Sequence, residues 1–228
     1  MDRRRARAIH RRLAKHFGPL EAPRRWDPLE ELILTVLSQN TSDANSGRAY
    51  EALRRRFPTW EALAGAREKD VADTIRPGGL ANTKAPRILA IMREIREREG
   101  DFDLGWMRGE GDEQVREYLL SLPGVGPKTA ACVLAFSLGR PALPVDTHVY
   151  RVAARLGLIP PKASATEAHR ILQEGVPPEI RVGMHVGLIR LGREICKAGR
   201  PYCEECPLKD ICPTAPRYLG KNGRRKSG

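Results

Sequence analysis

Cys196, Cys203, Cys206 and Cys212 follow one another as C-x6-C-x2-C-x5-C within seventeen residues. Four thiolates that close in sequence can wrap one metal centre. Upstream, Leu122-Pro123-Gly124-Val125-Gly126-Pro127-Lys128-Thr129 sets a lysine just behind a glycine- and proline-rich turn, and Val145-Asp146-Thr147-His148 follows. A lysine amine can attack an electrophilic carbon and form a Schiff base. An aspartate beside it can stabilise positive charge and position the amine. Taken singly these features are commonplace: surface lysines are everywhere, and an aspartate before a helix is usually a cap. The chemistry rests on finding them together.

The elements that must position these residues read as helices. Asp27-Pro28-Leu29-Glu30 is a helix start, with Asp as N-cap, Pro at the first position and Glu at the third, and the apolar run 29–37 behind it predicts a buried helix. Ala6, Ile9, Leu13 and Phe17 make an apolar stripe at spacings of three and four, which predicts an N-terminal helix. Further helices are expected over 44–57, 68–75, 84–99, 112–121, 128–138, 146–156 and 179–195, with a short one from the Thr59 cap through Ala64 and a capping box at Ser164 and Glu167. No convincing alternation of β-branched residues appears, so the expected class is all-α. The Lys-, Arg- and Gly-rich tail from Lys221 is expected to fray.

The turn itself is informative. Two glycines permit backbone angles closed to other residues and remove Cβ atoms, so a surface can approach closely. Pro127 suits the first turn of the following helix, whose spare N–H groups and positive end can grip a phosphate. Such a grip reads the nucleic-acid backbone rather than its sequence. Gly124, Val125, Gly126 and Thr129 are the candidate contacts. The formal net charge of +12 agrees with a polyanionic partner. Hydrophobic residues make up 41% of the 228, so a packed core is feasible and global disorder is excluded. No signal peptide and no apolar run of membrane-spanning length is visible, so the thiols are expected to stay reduced in a cytosol-like compartment, where clustered cysteines favour a metal site over disulfides. Zinc and an iron–sulfur centre both remain open for them. The C-x6-C-x2-C-x5-C spacing differs from the paired knuckles of zinc ribbons, and Cys212-Pro213 loosely resembles ferredoxin-type runs.

LPGVGPKTA, then VDTH, then the four cysteines, in that order, resemble the endonuclease III branch of the helix–hairpin–helix DNA glycosylases over roughly Leu29 to Cys212. The resemblance implies two helical domains flanking a DNA-binding cleft. One is a six-helix domain over 27–140 carrying the hairpin. The other joins 1–26 to 141–228 and carries a [4Fe–4S] cluster at 196–212. It implies that Lys128 is the nucleophile and Asp146 its acidic partner, that Cys196, Cys203, Cys206 and Cys212 ligate the cluster, and that Lys197 and Arg200 in the cluster loop meet phosphates. Asn40 falls where endonuclease III has a glutamine that fills the gap left by a flipped nucleotide, a departure toward a shorter side chain. Leu80 matches an apolar wedge on the opposite side. Cys132, outside the motif, is expected to be a small buried hydrophobe.

The implied activity is that of a bifunctional base excision repair enzyme. It would remove oxidised pyrimidines from duplex DNA and nick 3′ to the abasic site by β-elimination. The implied partner is double-stranded DNA with damaged bases or abasic sites, met by a monomer in the nucleoid-bearing cytoplasm of a bacterium or archaeon, with no membrane role. Two other readings stand beside it: a monofunctional glycosylase for mismatched or deaminated bases, and a module that binds DNA without catalysis.

Overall fold

The computed structural model describes residues 2–22 and 27–219; the basic tail from Lys221 lies outside them. Every regular element among the described residues is helical. None of these helices is long and apolar enough to cross a membrane. The chain divides into two compact units, one of residues 24–140 and one joining 1–23 to 141–228.

Helix α1 (Arg3–Phe17) opens the second of these units. Asp2 caps it by accepting from the Arg4 N–H, and Ala6, Ile9 and Leu13 are fully buried, as their spacing predicts. The unit 24–140 then begins with α2 (Pro28–Leu37), where the Asp27 carboxylate accepts from the Leu29 N–H at 2.9 Å and Pro28 occupies the first turn. Leu29, Leu32, Ile33, Val36 and Leu37 bury completely and make α2 the spine of this unit. Each of these leucines and isoleucines contributes about 2 kcal/mol by leaving water. Ser42 caps α3 (Asp43–Arg56) and Thr59 caps α4 (Trp60–Ala64). Next come α5 (Glu68–Thr74), α6 (Ala81–Glu99), α7 (Asp112–Ser121) and α8 (Pro127–Cys132).

Two helices differ from expectation. α6 starts at Ala81 rather than Lys84, because Leu80 adopts a left-handed conformation that turns the chain directly into the helix. Pro86 then sits inside the helix, where it can make no backbone bond to the carbonyl of exposed Asn82. The expected single helix 128–138 is instead α8 followed by a π-helical turn, Val133–Ser137, in which the Leu138 N–H reaches the Val133 carbonyl at 3.1 Å. All five residues of that turn are buried, so hydropathy carries no mark of the change in pitch.

Within the unit joining the two ends of the chain, α9 (Thr147–Arg155), α10 (Ala165–Gly175) and α11 (Arg181–Glu194) pack with α1. Ile9, Leu13, Val149, Val152, Leu172, Leu188 and Leu191 form its core. Cys196, Cys206 and Cys212 pack against that core, so the cysteine segment is built on it rather than appended.

Candidate functional site

The turn between α7 and α8 is a tight hairpin. Gly124 adopts φ +70, which L side chains rarely adopt, and the Val125 N–H closes the turn onto the Leu122 carbonyl at 3.1 Å. Leu122 and Val125 point inward, 2% and 7% exposed, and clamp the turn to the core. Gly124 faces solvent. Thr129 is buried as well, 3% exposed, so the outward surface of the turn is made by Pro123, Gly124 and Pro127. Pro127 occupies the first turn of α8, and Lys128 follows it, partly exposed.

Lys128 has a buried polar neighbourhood that no motif announces. Its ammonium lies close enough to the Cys132 thiol and the Glu31 carboxyl to act on the charge of both. Glu31 is 6% exposed, and Thr35 donates to it at 3.0 Å from one turn further along α2. Burial pushes the Glu31 carboxyl up to about 7, against the opposing pull of the Thr35 hydroxyl and Lys128. Cys132 is buried, as expected, and burial raises its thiol as well. The Glu31 shift makes a prediction. A carboxyl whose folded value lies above its ordinary 4.5 stabilises the fold at low pH, and that stability is lost as pH rises from 4.5 through about 7. Glu31→Gln keeps an acceptor for Thr35 and does not titrate. Its melting temperature is therefore expected to exceed the parent's at pH 8, by the equivalent of about 1–3 kcal/mol, with the advantage closing by pH 5. Thermal melts across that range check it.

Asp146 caps α9: its carboxylate accepts from the Val149 N–H at 2.7 Å. Both ends of this helix are tied down. Just before it, His185 of α11, 4% exposed, meets the Pro144 carbonyl through Nδ1 at 2.7 Å. At the far end Arg151 donates to the Cys196 carbonyl at 3.1 Å and to the Gly192 carbonyl at 2.9 Å. Arg155 donates to Cys196 Sγ at 3.3 Å, to the Lys197 carbonyl at 2.6 Å and to the Ala198 carbonyl at 2.9 Å. The helix that presents Asp146 is thus anchored on the cysteine segment.

The four cysteines line one cavity, walled by Val152, Leu156, Leu191, Ile195 and Ala215. Burial raises the Cys203 thiol, and the charges of Cys196 and Cys212 raise it further. Burial, opposed by a backbone hydrogen bond from Leu208 and reinforced by the other three cysteines, pushes Cys206 up to about 11. Four thiolates this close repel one another, and a cationic centre among them reverses that balance. Among the described residues no three His, Cys, Asp or Glu side chains converge tightly enough to hold a single metal ion. Tetrahedral zinc, with Zn–S near 2.3 Å, needs its sulfurs within about 4 Å of one another.

Asn40 and Leu80 are the only non-glycine residues with positive φ among those described, at 53 and 51. A left-handed conformation costs an ordinary residue about 1–2 kcal/mol. Both are exposed, Leu80 at 54%. Lys197 and Arg200 are exposed in the loop between Cys196 and Cys203, where the Lys197 ammonium bonds the Arg193 carbonyl. Sequence reading missed Glu31, Thr35, Lys84, Arg87, Arg151, Arg155 and His185. All but Thr35 are single ionisable residues inside helices, a pattern that solvated helix faces share, so no local signal marks them.

Residues 33–178 match the model of the HhH-GPD superfamily of base excision DNA repair proteins. The chain is 39% identical over 186 residues to Endonuclease III of Thermotoga maritima, covering 82% of this chain and 83% of that one. It is 36% identical over 190 residues to an Arabidopsis thaliana relative of the DNA glycosylase class, covering 79% of this chain but only 64% of that longer protein. Among solved structures, a trapped Endonuclease III–DNA covalent intermediate with an estranged adenine superimposes with a TM-score of 0.82 at 29% identity, covering 95% of this chain and 98% of that one.

Proposed function

The chain belongs to the HhH-GPD superfamily of base excision DNA repair proteins, and we propose that it is a bifunctional DNA glycosylase and abasic-site lyase of the endonuclease III type. One observation carries the lyase half: a lysine, Lys128, stands in the first turn of α8 directly behind the α7–α8 hairpin. The likeness to a covalent Endonuclease III–DNA intermediate supports the same reading.

The reaction follows from that amine. The damaged pyrimidine nucleotide must leave the stack before its sugar can be reached. The neutral Lys128 amine attacks C1′ of the deoxyribose. The C1′–N bond breaks, and its electron pair leaves with the base, which takes up a proton. Asp146 offers a carboxylate to the cationic sugar. The C1′–O4′ bond then opens, with the lysine nitrogen's lone pair forming the C1′=N iminium and O4′ taking up a proton; the iminium acidifies the C2′ proton, whose loss expels the 3′ phosphate by β-elimination and cuts the strand. Water then hydrolyses the Schiff base and returns the free lysine. Hairpin amides from Gly124 to Thr129 hold the phosphodiester, Asn40 enters the gap in the stack, Leu80 wedges beside it, and Lys197 and Arg200 meet phosphates. Such an enzyme works beside the genome, in the nucleoid-bearing cytoplasm of a bacterium or archaeon. The catalytic domains are assigned as 27–140 and as 1–26 with 141–228.

A [4Fe–4S] cluster is the reading that best fits the cysteines. Four sulfurs share one cavity, and their C-x6-C-x2-C-x5-C spacing differs from the paired knuckles of zinc ribbons. Cys196, Cys203, Cys206 and Cys212 would hold it, and its contribution is structural.

Borohydride reduction separates the readings. A bifunctional enzyme yields a covalent protein–DNA adduct on an abasic duplex and releases oxidised pyrimidines from single-lesion duplexes. A monofunctional glycosylase releases base without trapping, and a binding module does neither.

A further inference from the structure

We propose that Lys84 and Arg87, one turn apart on α6, form a brace that holds Asn40 and Leu80 in register with each other and with the hairpin, so that both enter the duplex together. The inference rests on the proposed reading of Asn40 and Leu80 as the residues that probe DNA, and adds the device that aims them.

Leu80 is held in a left-handed conformation its side chain disfavours, Asn40 in one that asparagine adopts more readily than other non-glycine residues, and both are exposed, so no burial of their own side chains fixes them. The constraint comes from below. The Lys84 ammonium donates to the Leu37 carbonyl at 2.7 Å and to the Gly78 carbonyl at 2.8 Å. Leu37 is three residues before Asn40, and Gly78 is two before Leu80. One cation therefore ties the stem of one loop to the stem of the other. Lys84 is 2% exposed and, among the described residues, has no carboxylate partner. A buried charge without an ion pair is a poor way to gain stability, since an apolar side chain of the same length would fill the space without the desolvation cost. It makes sense as a spacer of fixed length between two carbonyls.

Arg87 extends the brace. Its guanidinium donates to Gln39 Oε1 at 2.6 Å, next to Asn40. Its side chain also lies across Gly124: a Cβ built there would meet Arg87 Nε at 2.4 Å and Cδ at 2.7 Å. The same helix face thus reaches the 38–41 loop, the 78–80 loop and the hairpin, all within the unit 24–140.

A merely structural pair would affect every activity alike. A brace affects only work done against a duplex. The test compares nicking of an abasic duplex with nicking of the same abasic site in a single strand, which needs no wedge, at a temperature well below each variant's melting point. Lys84→Met is expected to lose about 10- to 100-fold on the duplex and less than about threefold on the single strand, the scale set by a misplacement of about 1 Å. Added to Leu80→Ala, it is expected to cost no further duplex activity, because both changes disable the same wedge. If Lys84→Met fails to fold, Arg87→Met, at a partly exposed position, carries the same measurements. Equal losses on both substrates, or full additivity with Leu80→Ala, would overturn the brace. A wild-type protein that nicks neither substrate would overturn the functional reading beneath it, and the brace with it.

Discussion

Lys128→Gln is expected to lose nicking of abasic duplex DNA by roughly 10⁴-fold or more, the scale at which removal of a nucleophile registers, and to give no borohydride-trapped adduct. Glutamine keeps polarity and most of the length in the first turn of α8 but offers no amine lone pair for C1′. Binding is expected to survive within a few-fold. The proposed phosphate grip uses hairpin backbone amides and Gly124, which the substitution leaves alone, and one lost cation among 40 Lys and Arg changes the salt slope by no more than about one. Fluorescence titration of abasic-analogue duplexes, run beside the nicking assay, measures the two separately. A variant that binds and still nicks at the parental rate would remove Lys128 from the mechanism.

Cys203→Ser is expected to produce a colourless protein that melts roughly 10 °C below its brown parent, equivalent to several kcal/mol for a chain of this size. The cavity shared by the four cysteines has its partners inside the core of the unit joining the chain ends: Leu191 and Ile195 wall it, and Cys196, Cys206 and Cys212 pack on that core. Losing the centre would free the segment from 196 to 212 and with it the carbonyls of Cys196, Lys197 and Ala198 that Arg151 and Arg155 hold. The helix they belong to is capped by Asp146. The activity lost should therefore exceed the loss expected from Lys197→Ala and Arg200→Ala together, which remove only the proposed phosphate contacts. Colour, iron content, melting temperature and nicking rate, read on one preparation, check this. A colourless variant with parental melting and activity would reduce the cysteine segment to a surface feature.

Helices were legible where the signal is short-range. Asp27-Pro28, Ser42, Thr59 and Ser164 cap where their hydrogen-bonding chemistry says they should, because a cap involves residues two or three apart. The 6, 9, 13 stripe of α1 buries as its period requires. Glycine-rich punctuation placed the α7–α8 turn. The start of α6 was misplaced because nothing in Gly79-Leu80-Ala81 reveals a left-handed leucine. The π turn after α8 was invisible because a uniformly buried run looks the same at either pitch.

The sequence by itself determined the reaction chemistry available to this protein: an amine behind a hairpin, a capping carboxylate, and four thiols at a telling spacing. Each of these is written in residue type and local order, and local order survives without a fold. Only the tertiary structure decided what surrounds them. It set Glu31 and Thr35 beside Lys128, His185 against Pro144 from 41 residues away, and the Lys84 ammonium on a carbonyl 47 residues distant. All three contacts join segments distant in the chain, and in the last two the partner is a backbone carbonyl that every residue possesses. Side-chain identity therefore names the donor and leaves the acceptor to be chosen by packing.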